Sequence, residues 1–395
     1  MTKKKRFLGR GRALFLLASL VLLLPIAAGT LSRATAQDGE DSLYKHLSVF
    51  TEVLSLIQRS YVDETSIDRL FAGALDGTTD ALDPLAAYVE AERVDAYREA
   101  LAIGAAHSGV SVARDAGISY VLAIEPGSPA EQAGIRQGDI LAEIDGQSTR
   151  EMPLWDLQIR LAAATGTARL ELLRRGQSRE AELPLGPFER TKPTVRVDRG
   201  IPILRVTRVE KQALEAVEEL LKLPETAASA RLVVDLRGIA GGEGSVAYDL
   251  AALFAVGDLG ELRSRGETLS TFSSATTPKW SGRLAVLTDA GSQGPSEILA
   301  AILRQSADAE LVGSRTFGHA GRLASRALSS GATLFYSDAF FTGPDGVAID
   351  RGLEPGVVVQ ATRQSLGGGG GSSVDVPLQR ALDLLLQDVA ERDAA

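Results

Sequence analysis

The 395-residue chain contains no cysteine, two methionines, two tryptophans and three histidines, and aromatic residues make up only 5% of it. Without cysteine, disulfide scaffolds, thiolate metal sites and cysteine nucleophiles are excluded. His46, His107 and His319 are far apart and none lies in an HExxH spacing, so a zinc hydrolase does not fit, and no cofactor is expected. The charge is mixed rather than blocked, 42 basic against 51 acidic residues for a net −9, with no basic stripe in the folded part to neutralise a phosphate backbone, which argues against nucleic acid as a partner. What is present is 45% hydrophobic residues over a length that allows two or three domains with real cores.

Residues 1–36 read as an address. MTKKKRFLGRGR is a cationic n-region, residues 13–31 are a 19-residue apolar run, and Ala34-Thr35-Ala36 offers a signal peptidase its small residues. Export with cleavage near Ala36 is expected, leaving Gln37 as the first mature residue; an uncleaved membrane anchor is the alternative, since the run is just long enough to span a bilayer. The destination is the periplasm or cell envelope. Residues 37–103 form a helical region. Leu47, Phe50, Val53, Leu54 and Ile57 recur at helical spacing, a second helix runs from Asp68 to about Leu82, and Asp83-Pro84 ends it. Its expected role is packing, or association with a second copy or with another chain.

Between residues 104 and 187 the pattern becomes short strands with glycine turns, and the segments SPAEQAGI and LWDLQIRLAAA are helical. The series Gly127-Ser128-Pro129-Ala130, Ala133-Gly134-Ile135, Gly138-Asp139-Ile140-Leu141 and Ile144-Asp145-Gly146 resembles a bacterial PDZ domain. The resemblance implies peptide binding by β-augmentation, with a terminal carboxylate held at the loop Ser108-Gly109-Val110-Ser111-Val112. Gly109, lacking a Cβ, either lets a ligand approach the backbone or simply makes a turn.

Strand and helix patterns then alternate from 188 to 365, which predicts a mainly parallel sheet with its site at the loops after Leu236 and Asp289. The loop Arg237–Gly244 has neither GxGxxG order nor a Walker lysine, and does not read as a phosphate cradle. Asp235-Leu236-Arg237 keeps a polar strand end that serves either the core or a ligand. Residues 366–373 are a glycine-rich linker, and 374–395 carry a terminal helix with Leu378, Leu382, Leu385 and Leu386 on one face, expected to pack.

Over residues 40 to 390 the chain resembles the C-terminal processing peptidases, serine peptidases with a PDZ domain inserted before an α/β core. The resemblance rests on Tyr61-Val62-Asp63-Glu64, Leu82-Asp83-Pro84, the PDZ series, Val234-Asp235-Leu236-Arg237 with Gly241-Gly242, Gly291-Ser292 with Ser296-Glu297-Ile298, Val312-Gly313, Thr316-Phe317-Gly318 and Gly352-Leu353-Glu354-Pro355, all in the family's order. It implies an α/β multi-domain fold: a helical amino-terminal region, a PDZ domain and a peptidase-like core. It also implies a serine nucleophile and a desolvated lysine base. The positions that match those two groups are Gly294 and His319, 25 residues apart as the family pattern requires. The first glycine of the pair, Gly241, matches an oxyanion donor; the second donor would be the amide of Pro295, which has no N–H. Leu323 stands where the family has a glutamine supporting the lysine.

The expectation is therefore a pseudopeptidase that binds protein or peptide C-termini, with no catalytic residue and no metal. The alternative is a serine endopeptidase with a rearranged site, in which Ser292 or Ser296 is the nucleophile and His319 the base. Each serine is two residues from Gly294 and is expected to point away from the nucleophile position. Ser292 also suits a turn, Ser296 suits a first helical turn, and His319 by itself reads as a solvated or capping residue. A homodimer, or association with an active homologous peptidase, is compatible with the first expectation.

Overall fold

The computed structural model describes residues 44–359 and 374–392; the expected signal segment 1–36 and the linker 366–373 lie outside them. The chain divides near Leu75. The amino-terminal part contains the helix 44–60 and the start of the helix Ile67–Asp80, and within it the rings of Phe50 and Phe71 approach to 6.5 Å. Both helices match the periodicity read in the sequence. No helix among the described residues is long and apolar enough to cross a membrane.

The PDZ region is an antiparallel sheet of Val110–Asp115, Ile118–Ile124, Ile140–Ile144, Thr167–Arg174 and Gln177–Pro184 in that spatial order, with Val110–Asp115 at the edge. Its core gathers Val121, Leu141, Ile144, Leu170 and Leu183 from the strands, Leu157 from the helix Leu154–Leu161 and Ile135 from the loop before Ile140–Ile144. That helix faces the edge strand and leaves a groove beside it.

The core sheet runs Val357–Val358, Glu310–Gly313, Arg283–Thr288, Arg231–Asp235, Ile201–Arg205 and Thr194–Asp198; all neighbours are parallel except the last pair. Strand alternation sends Leu204, Leu232, Val234, Leu284 and Val286 to one face, where the helices Lys211–Leu221, Gly244–Ala251 and Pro295–Ser306 cover them. Ile201, Ile203, Val233, Ala285, Leu287 and Val312 face the other side and meet Leu378, Ala381, Leu382 and Leu385 of the terminal helix Val376–Arg392. Both faces are thus buried, as a parallel sheet requires. A second, antiparallel sheet joins Ala87–Val89, Gly321–Ala327, Thr333–Phe341 and the hairpin Gly257–Ser264 with Glu267–Ser274. Tyr97 stands edge-on to both Trp155 of the PDZ helix and Phe335 of this sheet, so one aromatic cluster ties the PDZ domain to the core.

Candidate active site and peptide groove

The strands Arg231–Asp235 and Arg283–Thr288 end side by side, so the loops after them meet. In the second loop Asp289 Oδ1 accepts Gly238 N at 2.8 Å and Gly291 N at 3.0 Å, pinning the two loops together. The helix Pro295–Ser306 starts here, with Pro295 at its first position, where a missing N–H costs nothing to the helix. Gly294, just before it, has φ 60° and ψ −111°, a left-handed conformation that residues with a Cβ adopt only under strain. A Cβ built on Gly294 would nevertheless have room, its nearest neighbour being the His319 carbonyl oxygen at 3.5 Å. The backbone at Gly294 thus has space for a side chain beside His319.

Glu297 organises both halves of this site. It is fully buried; Oε1 accepts Gly318 N at 2.7 Å and the Thr316 hydroxyl, while Oε2 accepts Gly294 N and His319 N, each at 2.9 Å. Burial pushes its carboxyl above the ordinary range, and these four donors offset part of that rise.

Ser292 and Ser296 are both fully buried. The Ser292 hydroxyl donates to the Leu236 carbonyl at 3.0 Å and that of Ser296 to the Ile239 carbonyl at 2.9 Å. They stitch the helix start to the loop after Leu236, and neither is among the residues lining the cavity. His319 differs from its expected place: it is 3% exposed, not solvated. Its Nε2 lies 3.0 Å from Ser337 Oγ and 3.6 Å from Asp83 Oδ1, and its ring stands edge-on to Phe340. Burial draws its pKa below the ordinary value, against the pull of Asp83 and Asp350. Leu323 pairs with Ser337 across two strands of the antiparallel sheet.

A cavity of about 630 Å³ is bordered by Gly241, Gly294, Pro295 and His319 on the core side and by Val110, Ser111, Val112 and Ala113 of the PDZ edge strand on the other. The groove and the peptidase-like site are one space. At the carboxylate loop, Gly109 N donates to Ala105 O at 2.7 Å and Val110 N to Ser108 Oγ at 3.3 Å, so those two amides already have partners. Gly109, at φ 78°, is glycine because of Ser128: an added Cβ would fall 2.0 Å from Ser128 Cβ. The close approach it permits is to its own chain.

Asp235 and Arg237, left open in the sequence, form a buried ion network. Asp235 Oδ1 accepts Arg205 Nη1 and Arg237 Nε, each at 2.9 Å, and Arg237 continues to Asp375. Burial alone would raise Asp235, but the two guanidinium groups hold it below the usual carboxylate range. Neither residue borders the cavity at Gly294; both line a second cavity of about 630 Å³, which is also bordered by Gln137 of the PDZ region and by Asp289, so the network joins the core and also faces open space. No cluster of histidine, aspartate and glutamate able to hold a metal occurs among the described residues.

A PDZ sheet set before an α/β core, with the helix-start loop and the pair Gly241-Gly242 bordering one cavity, is a multi-domain peptidase-like architecture. Residues 200–359 match the sequence profile described as Peptidase family S41, and residues 120–175 that of a PDZ domain. The chain is 24% identical over 352 residues to the carboxy-terminal processing protease CtpA of Bacillus subtilis, spanning 86% of this chain and 74% of that one. It is likewise 24% identical over 365 residues to the carboxy-terminal-processing protease of Bartonella bacilliformis, spanning 88% and 80%. The solved structure of a photosystem II D1 C-terminal processing protease shares the fold, with a TM-score of 0.63 and 24% identity over 79% of this chain and 92% of that one. The core belongs to peptidase family S41, and the chain with its PDZ domain is similar to the C-terminal processing peptidases.

Proposed function

We propose that this protein is an exported pseudopeptidase of the cell envelope whose PDZ domain binds the carboxyl ends of proteins without cleaving them. The observation that carries this reading is the state of the helix-start loop: position 294 has kept a strained backbone and room for a side chain, yet bears none, and the next residue has no amide. Without a nucleophile there is no covalent step, and loss of one oxyanion donor alone typically costs roughly a hundredfold to a thousandfold in rate. His319, at the base position, is held by Ser337 and Asp83 rather than by a nucleophile at 294. For binding, the edge strand Val110–Asp115, which has a strand neighbour on one side only and lies beside the helix Leu154–Leu161, supports strand addition. The cationic, apolar and Ala34-Thr35-Ala36 series of residues 1–36 supports export with removal near Ala36.

The test is to incubate the purified protein with an unstructured protein and follow it on a gel, while titrating free and amidated forms of one peptide. We expect no fragments, binding of the free peptide, and a loss of about 1–3 kcal/mol on amidation, the value of a charge-assisted hydrogen bond. Robust cleavage abolished by Ser292→Ala or Ser296→Ala would replace this reading with the rearranged endopeptidase. Equal affinity for the two peptide forms would remove the C-terminus from it.

A further inference from the structure

Ser337 lies on the strand Thr333–Phe341, outside every motif of the family, and its hydroxyl meets His319 Nε2 at 3.0 Å. Asp83 completes the group. Its Oδ1 is 3.6 Å from the same nitrogen and accepts Leu85 N at 2.8 Å; its Oδ2 accepts Ser337 N at 3.1 Å. The carboxylate is thus fixed by two backbone amides, one of them the serine's own. Gly321 sits over the pair and also lines the cavity; a Cβ there would fall 2.5 Å from Ser337 Oγ and 2.8 Å from His319 Nε2. Gly321 therefore packs against the half-buried serine, which is not itself among the residues bordering the cavity.

We propose that Ser337 and His319 form a second nucleophile–base pair, offset from the family's site, that accepts the acyl group of a small activated ester. Ser337 Oγ attacks the ester carbonyl carbon while its proton passes to His319 Nε2. The ester C–O bond then breaks, and the leaving alkoxide takes that proton from Nε2 and departs as an alcohol. Water next attacks the acyl-serine, giving a proton to Nε2 that returns to Oγ as the carboxylic acid leaves. Asp83 is a positioning residue. It faces the nitrogen that gains the proton rather than the opposite one, so it acts by stabilising the imidazolium and not by selecting a tautomer. Reaching Ser337 requires the backbone at Gly321 to give way, so a small acyl group is accepted and a peptide is not. An ester with a good leaving group also demands less oxyanion stabilisation than an amide. This activity is independent of peptide binding in the groove.

The experiment treats the folded, full chain with a fluorophosphonate, which transfers a phosphonyl group to an activated serine, and maps the product by peptide mass. Ser337 should carry the label in the native protein and lose its selectivity when the same protein is unfolded in guanidinium. His319→Ala should slow labelling by about a hundredfold or more, the usual contribution of general base catalysis. In the parent the rate should rise with pH to a midpoint below 6.5, because burial of His319 lowers its pKa; Asp83→Asn should move that midpoint lower still, since it removes a charge that favours the protonated ring. An unlabelled Ser337 in the native protein, equal labelling of native and unfolded chains, or a label on Ser292 or Ser296 would each overturn the proposal. Since the parent protein alone decides these outcomes, a variant that fails to fold cannot obscure them.

Discussion

Arg237 grips Asp375 with both terminal nitrogens, Nη1 to Oδ1 and Nη2 to Oδ2, each at 2.8 Å, across 138 positions of sequence. Asp375 Oδ1 also accepts Leu378 N at 3.2 Å and so caps the terminal helix. One carboxylate thereby fixes where the helix begins and clamps it to the end of a central strand. Asp375→Ala should lose the cap, worth about 1 kcal/mol, together with the pair. Arg237→Ala should cost more, about 3–5 kcal/mol, because it strips the buried Asp235 of one of its two cations. Denaturant midpoints at unchanged m-value measure both; equal losses would contradict this ranking.

Restoring single groups should not restore proteolysis. Gly294→Ser puts a side chain at φ 60°, with an expected stability loss of about 1–2 kcal/mol, and it should remain inert because His319 is engaged elsewhere. Adding His319→Lys still leaves Pro295 without an amide. Only Gly294→Ser with His319→Lys and Pro295→Ala is expected to give slow cleavage of an unstructured protein, and Leu323→Gln should improve it. Turnover by the single variant would refute the argument.

Asp76 gives a pH signature. Burial, with smaller contributions from Asp80 and Glu90 and against the pull of Arg114, raises it from 3.8 to about 6. A carboxyl raised on folding favours the folded state most below its unfolded pKa, and that contribution disappears as pH climbs through about 6. Asp76→Asn should therefore melt at a higher temperature than the parent above pH 7, with the difference vanishing near pH 4. A difference that is constant with pH, or largest in acid, would rule this out.

Glu297→Gln replaces a pure acceptor by a group with two donors, in a place surrounded by donors. Each orphaned buried amide costs about 1–3 kcal/mol. Hydrogen exchange should report it locally, as lost protection at Gly294, Gly318 and His319 before any change in the PDZ sheet.

Gly109→Ala should weaken peptide binding by distorting the loop against Ser128 rather than by obstructing the ligand. The overlap of an added Cβ with Ser128 Cβ predicts a loss of about 1–3 kcal/mol in PDZ stability. Gly109→Ala with Ser128→Gly should recover part of that loss in a thermal melt, whereas a purely ligand-blocking methyl would leave the melt of the single variant unchanged.

The helix Pro295–Ser306, the PDZ strands and the leucine face of the terminal helix were all legible, because each buries a periodic set of apolar residues. The hairpin Gly257–Ser264 and Glu267–Ser274 was not: its outer strand is almost wholly exposed and polar, so no alternation marks it. Glycine at position 294, where the resemblance implies a nucleophile, could be read because the flanking motifs fix a register. The neighbours of His319 could not. Asp83 comes from the turn after the second helix and Ser337 from a strand with no motif, and only the antiparallel pairing of Gly321–Ala327 with Thr333–Phe341 brings the serine to the ring. The burial of His319 follows from the same pairing, which a lone histidine in a glycine-rich turn does not announce.

Glu297 also bears on how such a protein arises. Because its four donors come from the loops that would carry nucleophile and base, the shape of those loops is maintained as a requirement of folding, whether or not chemistry takes place between them. Reactive side chains can then drift away at little cost to the scaffold, and selection can retain the chain for whatever its groove holds. On the reading proposed above, intact geometry at this site records ancestry rather than certifying activity.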